Sequence, residues 1–103
     1  MSEILLDTNE MEWEEAGSYP LGTMVKVLRE EGDVRSFLLK LPPGFHLEPH
    51  SHTTGEQHFI LEGGYVTGGW EFGPGMYHYL PARQLHGPYT SKDGAVVLVI
   101  WEK

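Results

Sequence analysis

The stretch His50 to Glu56 reads HSHTTGE: two imidazoles two residues apart, then a carboxylate four residues after the second. Imidazole nitrogen and carboxylate oxygen are donors that borderline divalent metals accept. Two histidines and one carboxylate leave coordination positions open for water or substrate, an arrangement suited to Fe(II), Mn(II), Co(II), Ni(II) or Zn(II). On an extended chain, residues i and i+2 share a face about 7 Å apart. His50 and His52 are therefore expected to lean toward one ion from a single strand, with Ser51 facing away. Thr53-Thr54-Gly55 reads as a bend or bulge, and Glu56 then opens the next strand. His86, in LPARQLHGPY, is the natural further donor from a neighbouring strand. Glu56 has two readings, a direct ligand or a carboxylate that orients a ligating histidine.

Composition narrows what such a site can be. The chain has 103 residues, no cysteine, six histidines and a formal net charge of -8. Without cysteine there is no thiol nucleophile, disulfide, iron–sulfur cluster or thiolate zinc site. An acidic chain with no basic cluster has little attraction for phosphate backbones or anionic membranes, so no nucleic acid and no membrane partner is expected. The longest apolar run, Ala95 to Trp101, is seven residues, too short to span a bilayer as a helix. The acidic N-terminus lacks the basic region of a signal peptide, and a cytoplasmic location is expected. The length suits one domain over residues 1–103 with one modest core.

The elements that must position the site are short. Thirteen glycines and seven prolines punctuate the chain, and no stretch has the period of a long amphipathic helix. Thr8 to Glu15 can form one or two helical turns before Gly17, with Thr8 as cap. Thr23–Arg29, Val34–Leu41, Gln57–Leu61, Tyr65–Thr67, Trp70–Phe72, Met76–Leu80 and Ala95–Glu102 read as strands, separated by glycine- or proline-bearing turns. This spacing predicts an all-β sandwich or barrel.

Alternation then sorts the remaining side chains. His58 should share the inward face of its strand with Glu56 and Ile60, as a pocket acid or base or as a hydrogen-bonded core histidine. Gln57 should face outward. In Met76–Leu80, Tyr77 and Tyr79 fall on one face and Met76, His78 and Leu80 on the other. Phe37, Leu39, Phe59, Leu61, Leu98 and Ile100 are assigned to the core, His46 and the Glu12–Glu15 run to solvent. Trp13, Trp70 and Trp101 suit a core or an interface. Arg83, a cation near His86, suits either a substrate carboxylate or a surface acid.

At this point the sequence resembles the cupin superfamily. The first cupin motif, G(X)5HXH(X)3,4E(X)6G, is supplied by Gly44, His50, His52, Glu56 and Gly63 at the right spacing. The second, G(X)5PXG(X)2H(X)3N, is supplied by Gly75, Pro81 and His86, with Arg83 and Thr90 in place of its second glycine and its asparagine. With arginine there, a glycine-specific backbone angle is not expected at position 83. The wording HSHTTGEQHFILEGGY…GMYHYLPARQLHGP also resembles the cupin domains of ChrR-type anti-sigma factors and small diketone-cleaving dioxygenases.

The resemblance implies a jelly-roll β-barrel, commonly a homodimer, with His50, His52, Glu56 and His86 as ligands of a divalent transition metal inside it. Some ketone-cleaving relatives use three histidines alone, which makes Glu56 the weakest member. Two functions follow: a metal-dependent enzyme on a small oxygen-bearing substrate such as a ketone, dioxygenase-like, with His58 as its acid or base, or a non-catalytic metal-binding sensor or regulatory module.

Overall fold

The structure is a computed structural model that describes residues 2–102. It holds ten strands: β1 (Glu14–Glu15), β2 (Met24–Glu31), β3 (Val34–Leu41), β4 (Phe45–Leu47), β5 (Gly55–Gly63), β6 (Tyr65–Thr67), β7 (Trp70–Phe72), β8 (Tyr77–Leu80), β9 (Tyr89–Ser91) and β10 (Ala95–Glu102). They form a six-stranded sheet in the order β1-β2-β3-β10-β5-β8 and a four-stranded sheet in the order β4-β9-β6-β7, every pair antiparallel. This is the two-sheet jelly roll that the cupin motifs implied. No helix among the described residues is long and apolar enough to cross a membrane.

The larger sheet presents three cross-strand rows to the interior, and their polarity rises from one to the next. The first is Leu39, Val97 and Ile60; the second is Phe37, Val99, His58 and His78; the third is Arg35, Trp101, Glu56 and Leu80. Phe37, Ile60, Val97 and Val99 are at most 1% exposed. Each such side chain contributes roughly 1.5–3 kcal/mol by leaving water. The apolar residues of the first two rows fix the sheet, and His58, His78 and Glu56 place polar groups on the same face.

Three expectations change. The proposed helix shrinks to a single 3-10 turn, Thr8–Glu10, capped by Asp7, whose carboxylate accepts from the Asn9 amide at 2.9 Å. The chain leaves that turn because Trp13 lies beneath the ammonium groups of Lys26 and Lys40, while Glu14 and Glu15 pair with Val25 and Met24. Phe59 and Leu61 are not core: both are more than 40% exposed on the outer face of β5. The alternate residues Glu56, His58 and Ile60 take the inside. Leu98 and Ile100 are half-buried on the outer face of β10.

The third change concerns Arg83. It is the one described non-glycine residue with positive φ, at 59°. It thus occupies the left-handed conformation that the motif's glycine would take, and its own amide donates to the His52 carbonyl at 2.7 Å. An L side chain pays about 1–2 kcal/mol for this conformation. Arg83→Gly should therefore stabilise the fold by about 0.5–1 kcal/mol after glycine's greater unfolded-state freedom is counted. The check is thermal unfolding beside Arg83→Val, whose branched side chain should lower the midpoint.

Candidate metal centre

The ligand stretch is held by backbone hydrogen bonds to a second loop rather than by a continuous strand. The His50 amide donates to the His86 carbonyl and the His86 amide to the His50 carbonyl, both at 2.9 Å. This is an isolated antiparallel bridge. His52 lies beyond it in a non-strand segment and is fixed instead by the Arg83 amide. The expected single strand carrying His50 and His52 is thus replaced by one bridge and one loop bond. Pro49 supplies no ladder donor before the bridge, and the chain bends at Thr53-Thr54 after it.

These bonds bring the three imidazoles together. One ring nitrogen from each of His50, His52 and His86 lies within 4.8 Å of the others, which makes them a group that could hold a metal ion. The His50 ring is centred 4.8 Å from that of His52 and 4.7 Å from that of His86. His50 Nδ1 lies 3.1 Å from the Glu48 carbonyl. A carbonyl only accepts, so Nδ1 carries the proton and Nε2 of the neutral ring keeps its lone pair for a ligand. His86 Nδ1 is likewise engaged, by the Tyr89 hydroxyl at 2.9 Å.

Glu56 stands behind this trio. It is 4% exposed. Its Oε1 bonds His58 Nε2 at 2.9 Å, and its Oε2 lies 3.3 Å from His52 Nε2. That second approach lacks hydrogen-bond geometry, so Oε2 is a buried acceptor without a hydrogen-bond partner. Two donors on one ion with bonds of about 2.0–2.2 Å sit roughly 3 Å apart. Glu56 is not a member of the group whose ligand atoms all converge, but the spacing of its orphaned oxygen from His52 would suit two donors to one ion. Burial pushes the Glu56 carboxyl up, but the His58 hydrogen bond and the nearby His58, His52 and His86 outweigh it and hold it below the usual range.

His58 is buried with Glu56 and Ile60, on the face that alternation assigned. Both of its nitrogens are engaged: Nε2 by Glu56, Nδ1 by the Tyr65 hydroxyl at 2.9 Å. Tyr65 in turn lies 3.0 Å from His78 Nδ1, so His78 belongs to the inner set and Tyr77 and Tyr79 to the exposed one. His46 is exposed and pairs with Glu48, and Arg83 is exposed. Sequence reading missed Tyr19, Tyr65 and Tyr89, which line the same cavity as His50, Glu56, His58 and His86. Alternation along Tyr65–Thr67 would have turned Tyr65 and Thr67 to one face, both buried; Tyr19 sits in a loop, where no period applies. The cavity holds about 30 Å³ of water-sized space, and Leu39, Leu41, Phe45, Leu47, Val97 and Val99 form its apolar side.

Burial and the neighbouring His50 push His86 down to about 4, from an ordinary value of 6.5. His78 is lowered by burial and by His58. Between about pH 4 and 6.5 the unfolded chain then binds more protons than the folded one, so stability rises with pH across that window. Below it the lowered Glu56 acts in the same direction. The metal-free protein should lose thermal stability as pH falls from 6.5 to 4, and His86→Gln should flatten the slope, as read by unfolding midpoints across that range.

The fold is shared with solved structures. The chain superposes with a TM-score of 0.75 and 20% identity on the Rhodobacter sphaeroides complex of SigE with the anti-sigma ChrR, covering 93% of this chain but only 52% of that one. A candidate acetylacetone dioxygenase from Methylibium petroleiphilum PM1 gives 0.86 at 14% identity, covering 98% and 77%. The polyketide cyclase RemF from Streptomyces resistomycificus gives 0.79 at 20% identity, covering 98% and 79%. No curated protein matches the sequence. The sequence pattern of the ChrR cupin-like domain matches residues 1–102, and by that match the chain belongs to the ChrR cupin-like family of the cupins.

Proposed function

We propose that this chain is a metal-dependent cupin acting on a small oxygen-bearing molecule such as a ketone, with His50, His52, His86 and Glu56 holding a divalent transition metal. The observation that carries this reading is the convergence of three imidazoles near a buried carboxylate oxygen that has no hydrogen-bond partner, with His50, His86 and Glu56 lining an apolar cavity. A divalent ion there would supply Lewis-acid polarisation of a carbonyl or enolate oxygen and, if redox-active, a partner for O2. The chain's own groups do the rest. Tyr89 and the Glu48 carbonyl orient the His86 and His50 rings. Leu39, Leu41 and Phe45 exclude water from one side of the cavity. His58, the expected acid or base, would act through Glu56, since neither of its nitrogens is unengaged.

A second reading, a non-catalytic metal-sensing module, draws support from the family match itself and from the likeness of fold to the ChrR complex. The two readings separate in solution. Elemental analysis of untagged protein should find roughly one equivalent of Fe, Mn, Co, Ni or Zn, largely lost in His86→Ala. Oxygen uptake or substrate loss with small β-diketones by the iron-loaded protein supports the enzyme. Full metal occupancy with no turnover over a panel of diketones and hydroxy-ketones supports the sensor, and no metal in either protein after reloading overturns both.

The same proposal includes a homodimer through the outer face of the six-stranded sheet. Phe59 and Tyr77 are more than 40% exposed there, in a cross-strand row with Lys26, Leu38 and Leu98 that carries no acid. In a chain of net charge -8, two such rows can meet without carboxylate repulsion. Light scattering should give twice the chain mass, falling to the monomer mass in Phe59→Asp.

A further inference from the structure

Behind Glu56 a chain of polar side chains runs away from the candidate metal through the barrel interior. Glu56 Oε1 meets His58 Nε2 at 2.9 Å, His58 Nδ1 meets the Tyr65 hydroxyl at 2.9 Å, and that hydroxyl meets His78 Nδ1 at 3.0 Å. Glu56, His58 and Tyr65 are all at least nine-tenths buried, and the stacked ring of Phe72, centred 4.5 Å away, holds His78 in place. None of Tyr65, His78 and His58 is in the trio whose nitrogens converge.

The donors in this chain can be ordered from its end. An ionised carboxylate only accepts, so His58 Nε2 donates to Glu56. A neutral imidazole has a single N–H, which leaves Nδ1 of His58 as an acceptor, and the Tyr65 hydroxyl must donate to it. The Tyr65 oxygen then accepts from His78 Nδ1–H. With both imidazoles neutral, this arrangement of protons satisfies every group, and each group fixes the orientation of the one before it.

We infer that Tyr65 and His78 are positioning residues that restrict Glu56 to a single metal-facing oxygen. Oε1 is committed to His58, while Oε2, buried and without a hydrogen-bond partner beside His52, is the one left for an ion. Removing the Tyr65 hydroxyl frees His58 to rotate, releases Oε1 and lets the carboxylate turn toward a two-oxygen contact or away from the ion. The inference rests on the reading of Glu56 as a ligand, and its test separates the two.

The probe is cobalt(II) alone, whose visible spectrum reports coordination number and whose affinity is measured against a competing chelator. Wild type, Tyr65→Phe, Glu56→Gln and the double variant are compared. Loss of a group that orients a ligand weakens binding about 10-fold to 100-fold. Tyr65→Phe should fall in that range with an altered spectrum, and should add nothing once Glu56 is already Gln, because its effect passes through that carboxylate. His78→Leu should move the spectrum the same way to a smaller extent, and it serves as the test if Tyr65→Phe does not fold. An unchanged spectrum and affinity in Tyr65→Phe, with Glu56→Gln impaired, overturns the positioning role and keeps Glu56 as a ligand. Additive losses in the double variant also overturn it, since Tyr65 would then act through the fold at large. No effect of Glu56→Gln overturns the ligand reading and this inference with it.

Discussion

The reciprocal pair of amide–carbonyl bonds between His50 and His86 is the constraint on which the site depends. Those residues are 36 apart in sequence and lie on loops outside any named strand. Without the bridge, nothing in the two sheets would force their side chains to one point. With it, both imidazoles leave the backbone from directly opposed positions, where antiparallel partners come within about 4.5–5.5 Å. The Arg83 amide extends the pairing to His52. Ligand geometry here is therefore written in backbone hydrogen bonds first and in side-chain rotamers second.

The barrel also solves an electrostatic problem. Glu56 is the one buried acid among the described residues, and a bare carboxylate in a low-dielectric interior is costly. The structure offsets that cost with His58 on one oxygen and with the convergent histidines on the other side. The polarity gradient across the three interior rows keeps this group at the end of the core and not in its middle. Apolar packing at Phe37, Val97 and Val99 is thereby left uninterrupted, so fold and site share strands without competing for the same volume.

Much of this was legible in the sequence because it follows from period and spacing. β3, β6, β7 and β10 fall where turn residues and β-branched runs placed them. The inward set Glu56, His58 and Ile60 follows from alternation alone. What was not legible depends on contacts distant in sequence. β4 and β9 are three-residue strands that lack the hairpin glycines that marked β6 and β7, and they exist through pairing with each other and, for β9, with β6. Arg83 misled because its type argues against the conformation it adopts, and only the bond to His52 explains why the chain accepts it. The tyrosines around the cavity were invisible as a set, since Tyr19, Tyr65 and Tyr89 come from three separate parts of the chain. Phe59 and Leu61 were placed inside on hydrophobicity against the alternation of their own strand, and the alternation prevailed.

That strand has two faces that compete for the interior. One carries Glu56, His58 and Ile60, the other Gln57, Phe59 and Leu61, and the second is the more hydrophobic. Sliding β5 by one residue against β10 would bury the greasier face and expel the carboxylate and the imidazole into solvent. Hydrophobic burial on its own would thus favour a barrel with no site. A slide that brought Glu62 to the place of Gly63 meets a steric stop: a side chain there would collide with the Gly94 carbonyl oxygen, next to the irregular step between Val96 and Val97. A glycine at the far end of β5 from Glu56 therefore helps to set, through strand alignment, whether this chain presents chemistry or grease to its own interior.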